Sequence, residues 1–236
     1  MATDFSLRPA STVVLLRDGS NGLETLLLKR NKALMFAGGL WVFPGGAIDP
    51  EDIEAAGGEM VAASRIAAAR EAREESGLQP RLEDMLLLGH WTTPVAEAKR
   101  FATWIYAAPV ASDEEVTIDG SEIHDSRWIG VREAVAAHQA GELGMLPPTV
   151  LNLCDLSRYD NVATLLEGER DRVADEVLPV IGKAKGQMMV MFRGDAGYET
   201  GNPALEGGRH RAIFTGHSWH YVYRDVEGFP SIVRGS

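Results

Sequence analysis

Nine consecutive residues, Arg70-Glu71-Ala72-Arg73-Glu74-Glu75-Ser76-Gly77-Leu78, carry the densest chemistry in the chain. On a helix of about 3.6 residues per turn, Glu71, Glu74 and Glu75 stand at i, i+3 and i+4 and crowd one face. Carboxylates at that spacing repel by roughly 0.2 to 0.5 kcal/mol per pair, and folding alone gives no reason for the arrangement. The repulsion is relieved when a hard divalent cation takes oxygen ligands from the cluster. A glutamate-rich helix face is also an ordinary solvated surface, so the neighbourhood has to decide. Here it contains Gly77, a helix stop, and upstream Phe43-Pro44-Gly45-Gly46, a glycine turn after an apolar strand where backbone can come close to a ligand. Together these predict an oxygen-only cation site suited to Mg²⁺ or Mn²⁺.

The same residues resemble the signature of the Nudix hydrolases, whose second half reads Arg-Glu-U-x-Glu-Glu-x-Gly-U with U small or aliphatic. Arg70 to Leu78 matches it at every specified position. Gly46 and Arg70 are 24 positions apart; this is about ten more than the family pattern, so the box is enlarged and covers 45–78. The resemblance implies that Glu71, Glu74 and Glu75 are metal ligands, with the Gly45 carbonyl as a further donor and Arg70 orienting the glutamate face. A plain surface salt link is the other reading of Arg70. In the family a helper glutamate about two turns upstream orders the Arg, and in this register its place falls on Ala62. Either Glu54 or Glu59 of the inserted segment replaces it, or it is dispensed with. The base that activates water is, in several members, a glutamate on a later loop or strand. Its counterpart here is Glu122 in Asp119-Gly120-Ser121-Glu122, ahead of Trp128-Ile129, with Glu97 as a weaker candidate and a solvated turn as the other reading.

Flanking pieces resemble the coenzyme A diphosphatase branch, especially its peroxisomal members with an enlarged signature. They are Leu26-Leu27-Leu28-Lys29-Arg30, Phe43-Pro44-Gly45-Gly46, Asp49-Pro50-Glu51-Asp52, Trp91-Thr92-Thr93-Pro94, Arg100-Phe101-Ala102-Thr103 and Arg193-Gly194-Asp195-Ala196-Gly197-Tyr198. Lys29 and Asn31 stand where the bacterial form of that signature carries hydroxyl residues. Arg30 and Arg100 are candidate grips for substrate phosphates, because guanidinium forks match phosphate oxygens; each also suits a plain surface position. Arg209, His210 and Arg211 read as a solvated basic turn that could also meet a phosphate. His217 and His220, three apart in an expected strand, point to opposite faces and do not share a metal. Trp91, Trp104, Trp128 and Trp219 read as core.

A net charge of −11 excludes the basic footprint of a nucleic-acid binder and repels phosphorylated substrates at long range, so local cations must supply the attraction. No run approaches the roughly 18 apolar residues that span a bilayer, and the start of the chain lacks a charged-then-apolar leader; neither membrane nor secretion is expected. The single Cys154 excludes an internal disulfide and, among leucines, reads as a small buried hydrophobe; the expected compartment is the reducing cytoplasm. The implied partner is a nucleotide-type small molecule, and a homodimer stays open.

Strands are expected at Ser11 to Arg17 and Glu24 to Arg30, joined by a hairpin through Asp18 to Gly22, and at Leu40 to Phe43. Ala47 to Gly58 reads as a loop. A helix should then run from about Glu59 to Ser76, its side of Val61, Ile66 and alanines packing on a sheet. Further strands are expected at Met85 to Trp91, Arg100 to Ala107 and Arg127 to Ile129, then a helix through Val131 to Ala140. After Pro147-Pro148, helices at Thr149 to Tyr159 and Asn161 to Val177 precede strands at Met188 to Phe192 and Trp219 to Tyr223. Residues 1–148 are thus the expected core and 149–236 an extension packed on it. The fold class is α/β (α+β), and the resemblance implies a helix-sheet-helix sandwich with a mixed β-sheet.

The function this implies is metal-dependent hydrolysis of a nucleoside diphosphate linked to another group, coenzyme A or acyl-coenzyme A being favoured. ADP-ribose, NADH and dinucleoside polyphosphates are the alternatives within the class. A non-catalytic ligand sensor of the same fold is the alternative outside it.

Overall fold

The computed structural model describes residues 7–32, 37–111, 113–118 and 120–234. Asp119, part of the candidate turn before Glu122, lies outside them. The long strand β1 (Arg8–Gly19) turns through Ser20-Asn21 into β2 (Gly22–Arg30), a hairpin as expected, with pairing that continues through Asp18 and Gly19 to leave a two-residue turn. Beside them come β3 (Trp41–Val42) and β4 (Gly45–Ala47), then α1 (Pro50–Ala55) and α2 (Met60–Ser76). A 3₁₀ turn at Leu82–Asp84 leads into β5 (Leu86–Thr92), β6 (Phe101–Pro109), β7 (Ile123–Gly130) and α3 (Val131–Gln139). Beyond these lie α4 (Pro147–Leu156), α5 (Val162–Glu169), β8 (Asp175–Val177), β9 (Val180–Ala184), β10 (Gln187–Met191), β11 (Arg209–Phe214) and β12 (Trp219–Arg224).

The main sheet runs β3-β2-β1-β6-β5-β8, with β4 on β1 and β7 on β2. It is mixed: β1 and β6 are parallel, as are β5 and β8, and the other pairs are antiparallel. Strand periodicity sends Val13, Leu15, Leu26, Leu28, Tyr106 and Ala108 to one face under α2. Val14, Leu16, Leu27, Ile105 and Ala107 face the opposite way, against buried residues of α3, α4, α5 and the second sheet. That arrangement is the expected helix-sheet-helix sandwich. The second sheet is an antiparallel meander, β9-β10-β11-β12. Among the described residues, no helix is long and apolar enough to cross a membrane.

Helix α2 lies close on the sheet because its buried stripe is alanine: Ala63, Ala67, Ala68 and Ala72 are fully buried. Ser64 joins that stripe by sharing a 2.7 Å hydrogen bond with the Tyr106 hydroxyl. Val61, expected in the stripe, is instead exposed. Glu59 caps the start, accepting from the Ala62 N–H at 2.7 Å. Gly77, at φ 77°, closes the end in the left-handed region and donates its N–H to the Arg73 carbonyl.

Four further expectations are corrected. The segment 47–58, read as a loop, contains α1; Asp49 and Pro50 are a helix N-cap and first helical residue, and the short acidic helix has little apolar periodicity to reveal it. The helix expected over Asn161 to Val177 stops at Glu169, and Asp175–Val177 turns into β8, adding to the main sheet beside β5. Arg209, His210 and Arg211 are not a solvated turn but part of β11. Arg211 is buried there because Asp195 receives its guanidinium side-on, at 2.7 and 2.6 Å. Asp195 also accepts N–H groups of Gly197 and His210, so it organises the long loop between β10 and β11. His217 lies in the turn before β12 rather than in the strand.

Candidate functional site

The site is assembled where β4 pairs with β1 under the last turns of α2. The register sets Gly46 opposite Ser11 and Gly45 opposite Thr12. Gly45 is required by close backbone approach, and Gly46 leaves room for the Glu71 carboxylate. A Cβ on Gly45 would stand 2.4 Å from the Ser11 carbonyl oxygen, and one on Gly46 would stand 2.5 Å from the Glu71 carboxylate. The bare strand is therefore a floor, and the glutamate face of α2 is set directly above it.

Glu75 is buried and accepts the Gly45 N–H at 2.9 Å. Burial pushes its carboxyl up to about 8, and Glu71 adds to the rise, while the Gly45 hydrogen bond and Arg30 oppose it. Glu71, half-buried, is also raised, again by burial first, with Glu74 and Asp49 adding repulsion against the pull of Arg70. Glu74 is largely exposed.

Arg70 sits among these acids. One of its amino groups donates to Glu71 at 2.9 Å and Glu74 at 3.2 Å. The other reaches the Ala47 carbonyl at 3.0 Å and Asp52 at 3.0 Å, and its Nε meets the second Asp52 oxygen at 3.2 Å. Asp49 lies 3.4 Å away. The Arg70 pKa is raised, chiefly by the Asp52 hydrogen bond.

Sequence reasoning thus missed Asp52. The helper carboxylate expected from Glu54 or Glu59 comes from neither: Glu54 is exposed, and Glu59 is spent on capping α2. The available signal was the N-cap pattern at Asp49-Pro50, which places Asp52 in the first turn of a helix.

Of the other candidates, Arg30 and Glu122 are brought together, 3.2 Å apart, and both act electrostatically on Glu75. Among the described residues, the buried Arg30 Nε has no hydrogen-bond partner. Arg100 immediately precedes β6 and gives its Nε to the Thr93 carbonyl at 3.2 Å; among the described residues it makes no hydrogen bond or ion pair with the glutamates. Glu97 is exposed in the loop between β5 and β6. Trp91 and Trp219 are core, Trp104 packs partly buried beside α1 and α2, and Trp128 lies under the Arg17 guanidinium.

Among the described residues no three acidic, His or Cys side chains converge as a ready cation cage. The reason is visible: Glu71 and Glu74 are turned onto Arg70, and Glu75 onto the Gly45 N–H. The donor chemistry nevertheless fits a hard divalent ion, being all oxygen with more carboxylate than guanidinium, over a floor that Gly46 keeps clear.

The comparisons agree with this geometry. The family profile described as NUDIX domain matches residues 6–147. The chain therefore belongs to the Nudix family, whose enzymes are hydrolases that open phosphoric anhydride bonds. The curated "Putative nudix hydrolase 7" of Caenorhabditis elegans is 27% identical over 188 residues, covering 65% of this chain and 61% of its own length. The match thus spans under two thirds of that relative. A crystal structure of a NUDIX hydrolase from Alicyclobacillus acidocaldarius superimposes with a TM-score of 0.64 at 25% identity, over 70% of this chain and 97% of that one.

Proposed function

We propose that the chain is a metal-dependent Nudix pyrophosphohydrolase in which Glu71, Glu74 and Glu75, with the Gly45 carbonyl, hold Mg²⁺ or Mn²⁺. The observation that supports this most is the surplus of carboxylates over guanidinium on one flank of α2, above a glycine strand in which Gly46 leaves room for the Glu71 carboxylate. When bound, such a cation neutralises phosphate oxygens and makes water more acidic. Arg30, paired with Glu122 on the same side as Glu75, presents a guanidinium fork to a substrate phosphate. Glu122, on the rim beside Arg30, takes the proton of the attacking water. Arg100, tied to the loop between β5 and β6, is the more distant candidate for a second phosphate grip.

The favoured substrate is coenzyme A or acyl-coenzyme A, supported by the flanking motifs and the enlarged box. Cleavage would separate the adenosine bisphosphate half from phosphopantetheine. Purified protein with Mg²⁺ or Mn²⁺ is to be assayed against coenzyme A, acyl-coenzyme A, dephospho-coenzyme A, ADP-ribose, NADH and diadenosine polyphosphates, with products identified by mass. Fastest turnover of coenzyme A or its acyl esters is expected. An Arg gripping the ribose phosphate that dephospho-coenzyme A lacks should favour the intact substrate by about ten- to a hundredfold, a preference that Arg30→Ala erases. Faster hydrolysis of ADP-ribose would overturn the coenzyme A reading, and hydrolysis of none would overturn the enzyme reading.

A further inference from the structure

Arg70 is held from two sides, and the two sides differ in what they can give up. Glu71 and Glu74 belong to its own helix and are the carboxylates a cation would claim. Asp52 and the Ala47 carbonyl come from the inserted segment and stand outside that set. We propose that Asp52, carried by the inserted helix α1, is a positioning residue of the cation site: it retains the Arg70 guanidinium while Glu71 and Glu74 exchange that guanidinium for a divalent ion. The inference rests on the metal-dependent reading above.

Asp52 is only 3% exposed, and its two oxygens are fully engaged. One accepts the Asp49 N–H at 2.9 Å and an Arg70 amino group at 3.0 Å; the other accepts the Arg70 Nε at 3.2 Å. A two-pronged carboxylate grip fixes the plane of a guanidinium as well as its place. The support beneath it is stiff. Pro50 presets the first turn of α1, and Ile53 and Ala56 pack with Ile48, Ala63 and Ala67 between α1 and α2. Arg70 is the only guanidinium or ammonium within ion-pair distance of Asp52 among the described residues. Without Asp52, Arg70 would keep only the Ala47 carbonyl and, at 3.4 Å, Asp49 on that side, and its fork would compete with the cation for Glu71 and Glu74. The insertion that enlarges the box therefore supplies the part that the register removed at Ala62.

The test is Mn²⁺ binding, measured by electron paramagnetic resonance or calorimetry with no substrate present, alongside thermal unfolding without metal. Asp52→Asn should weaken Mn²⁺ binding about ten- to a hundredfold, the usual cost of losing an outer-shell partner. Arg70→Lys keeps the charge but loses the fork; it should weaken binding similarly and serves if Asp52→Asn does not fold. The double variant should bind no more weakly than the weaker single one, because both act through one contact. Glu54→Ala should bind as wild type does. Unchanged Mn²⁺ affinity in Asp52→Asn or in Arg70→Lys, whatever happens to the melting temperature, would reduce Asp52 to a structural role and overturn the proposal. Failure of the wild-type protein itself to bind Mn²⁺ would overturn the metal reading first, and that result is distinguishable because it appears before any variant is made.

Discussion

Arg70 and Arg172 each sit among carboxylates, but the two neighbourhoods have opposite charge balances. Around Arg70 are Asp49, Asp52, Glu71 and Glu74, four acids to one guanidinium, on a flank open to water. Around Arg172 are Asp155, Glu169 and Asp175, and Arg158 and Arg234 join it, so three acids meet three guanidinium groups. This second cluster ties α4, α5 and β8 to the end of the chain, where the Arg234 N–H reaches Asp155 at 2.7 Å. The carboxyl groups register the difference. Burial works against Glu169, yet hydrogen bonds from Tyr159 and Arg172 hold its pKa below the ordinary value. Burial raises Glu71 and Glu75, and their partners do not reverse it. A cluster whose charges cancel is complete and structural, whereas one with surplus acid on buried carboxyls is short of positive charge.

If that contrast is right, the two clusters fail in different ways. The largest effect falls on turnover: Glu74→Gln and Glu75→Gln should each lower it on the order of a thousandfold at saturating Mg²⁺, because an amide cannot hold the cation. Near wild-type rates in either variant would break the comparison at its functional end. In the balanced cluster, Arg172→Met leaves buried acids uncompensated and should destabilise the fold by roughly 3–5 kcal/mol in urea melts. Mn²⁺ affinity should be untouched, and a shared loss of both would mean that the clusters are coupled.

Next in size is a pH effect confined to metal-free protein. The Glu75 carboxyl moves from an ordinary 4.5 to about 8 on folding. Between those values the native state keeps a proton that the unfolded chain has released, so stability falls as pH rises through the window. Glu75→Gln should make that decline shallower, leaving the smaller part due to Glu71, and be the more stable protein above it, by on the order of 3 kcal/mol. Parallel stability curves for the two proteins would contradict the buried-carboxyl account. Smallest is a control away from both clusters. His138 is buried, gives its Nδ1 proton to the Leu143 carbonyl and accepts the Trp219 N–H on Nε2 at 2.9 Å, so it must be neutral. Burial lowers its pKa, and stability should therefore decline as pH falls below neutrality, less steeply in His138→Gln.

Much of this contrast was legible in advance on one side only. The glutamate face, the glycine turn and the far end of α2 follow from helical spacing and a stopping Gly77, local signals, whereas Glu59, offered as a helper carboxylate, proves to be the N-cap. Helix α1 was hidden because six residues with little apolar content carry no periodicity, although Asp49-Pro50 marked its start. The balanced cluster lies across the end of the expected helix Asn161 to Val177. Glu169, Arg172 and Asp175 recur at helical spacing, yet they are not successive turns of one helix; they converge on one another and on Asp155, which is distant in sequence. Arg211 likewise looked solvated because its partner, Asp195, is 16 residues away. Charges whose partners are remote cannot be placed from local pattern.

The most direct measurement is a Mn²⁺ titration of the wild-type protein beside Glu74→Gln, Glu75→Gln and Arg172→Met, followed by the loss of the free-ion resonance signal. The account predicts saturable binding in the wild type and in Arg172→Met, and binding weakened at least about tenfold in both glutamate variants. Equal Mn²⁺ affinity in all four proteins, or none in any, would contradict the claim that the surplus carboxylates on α2 form a cation site.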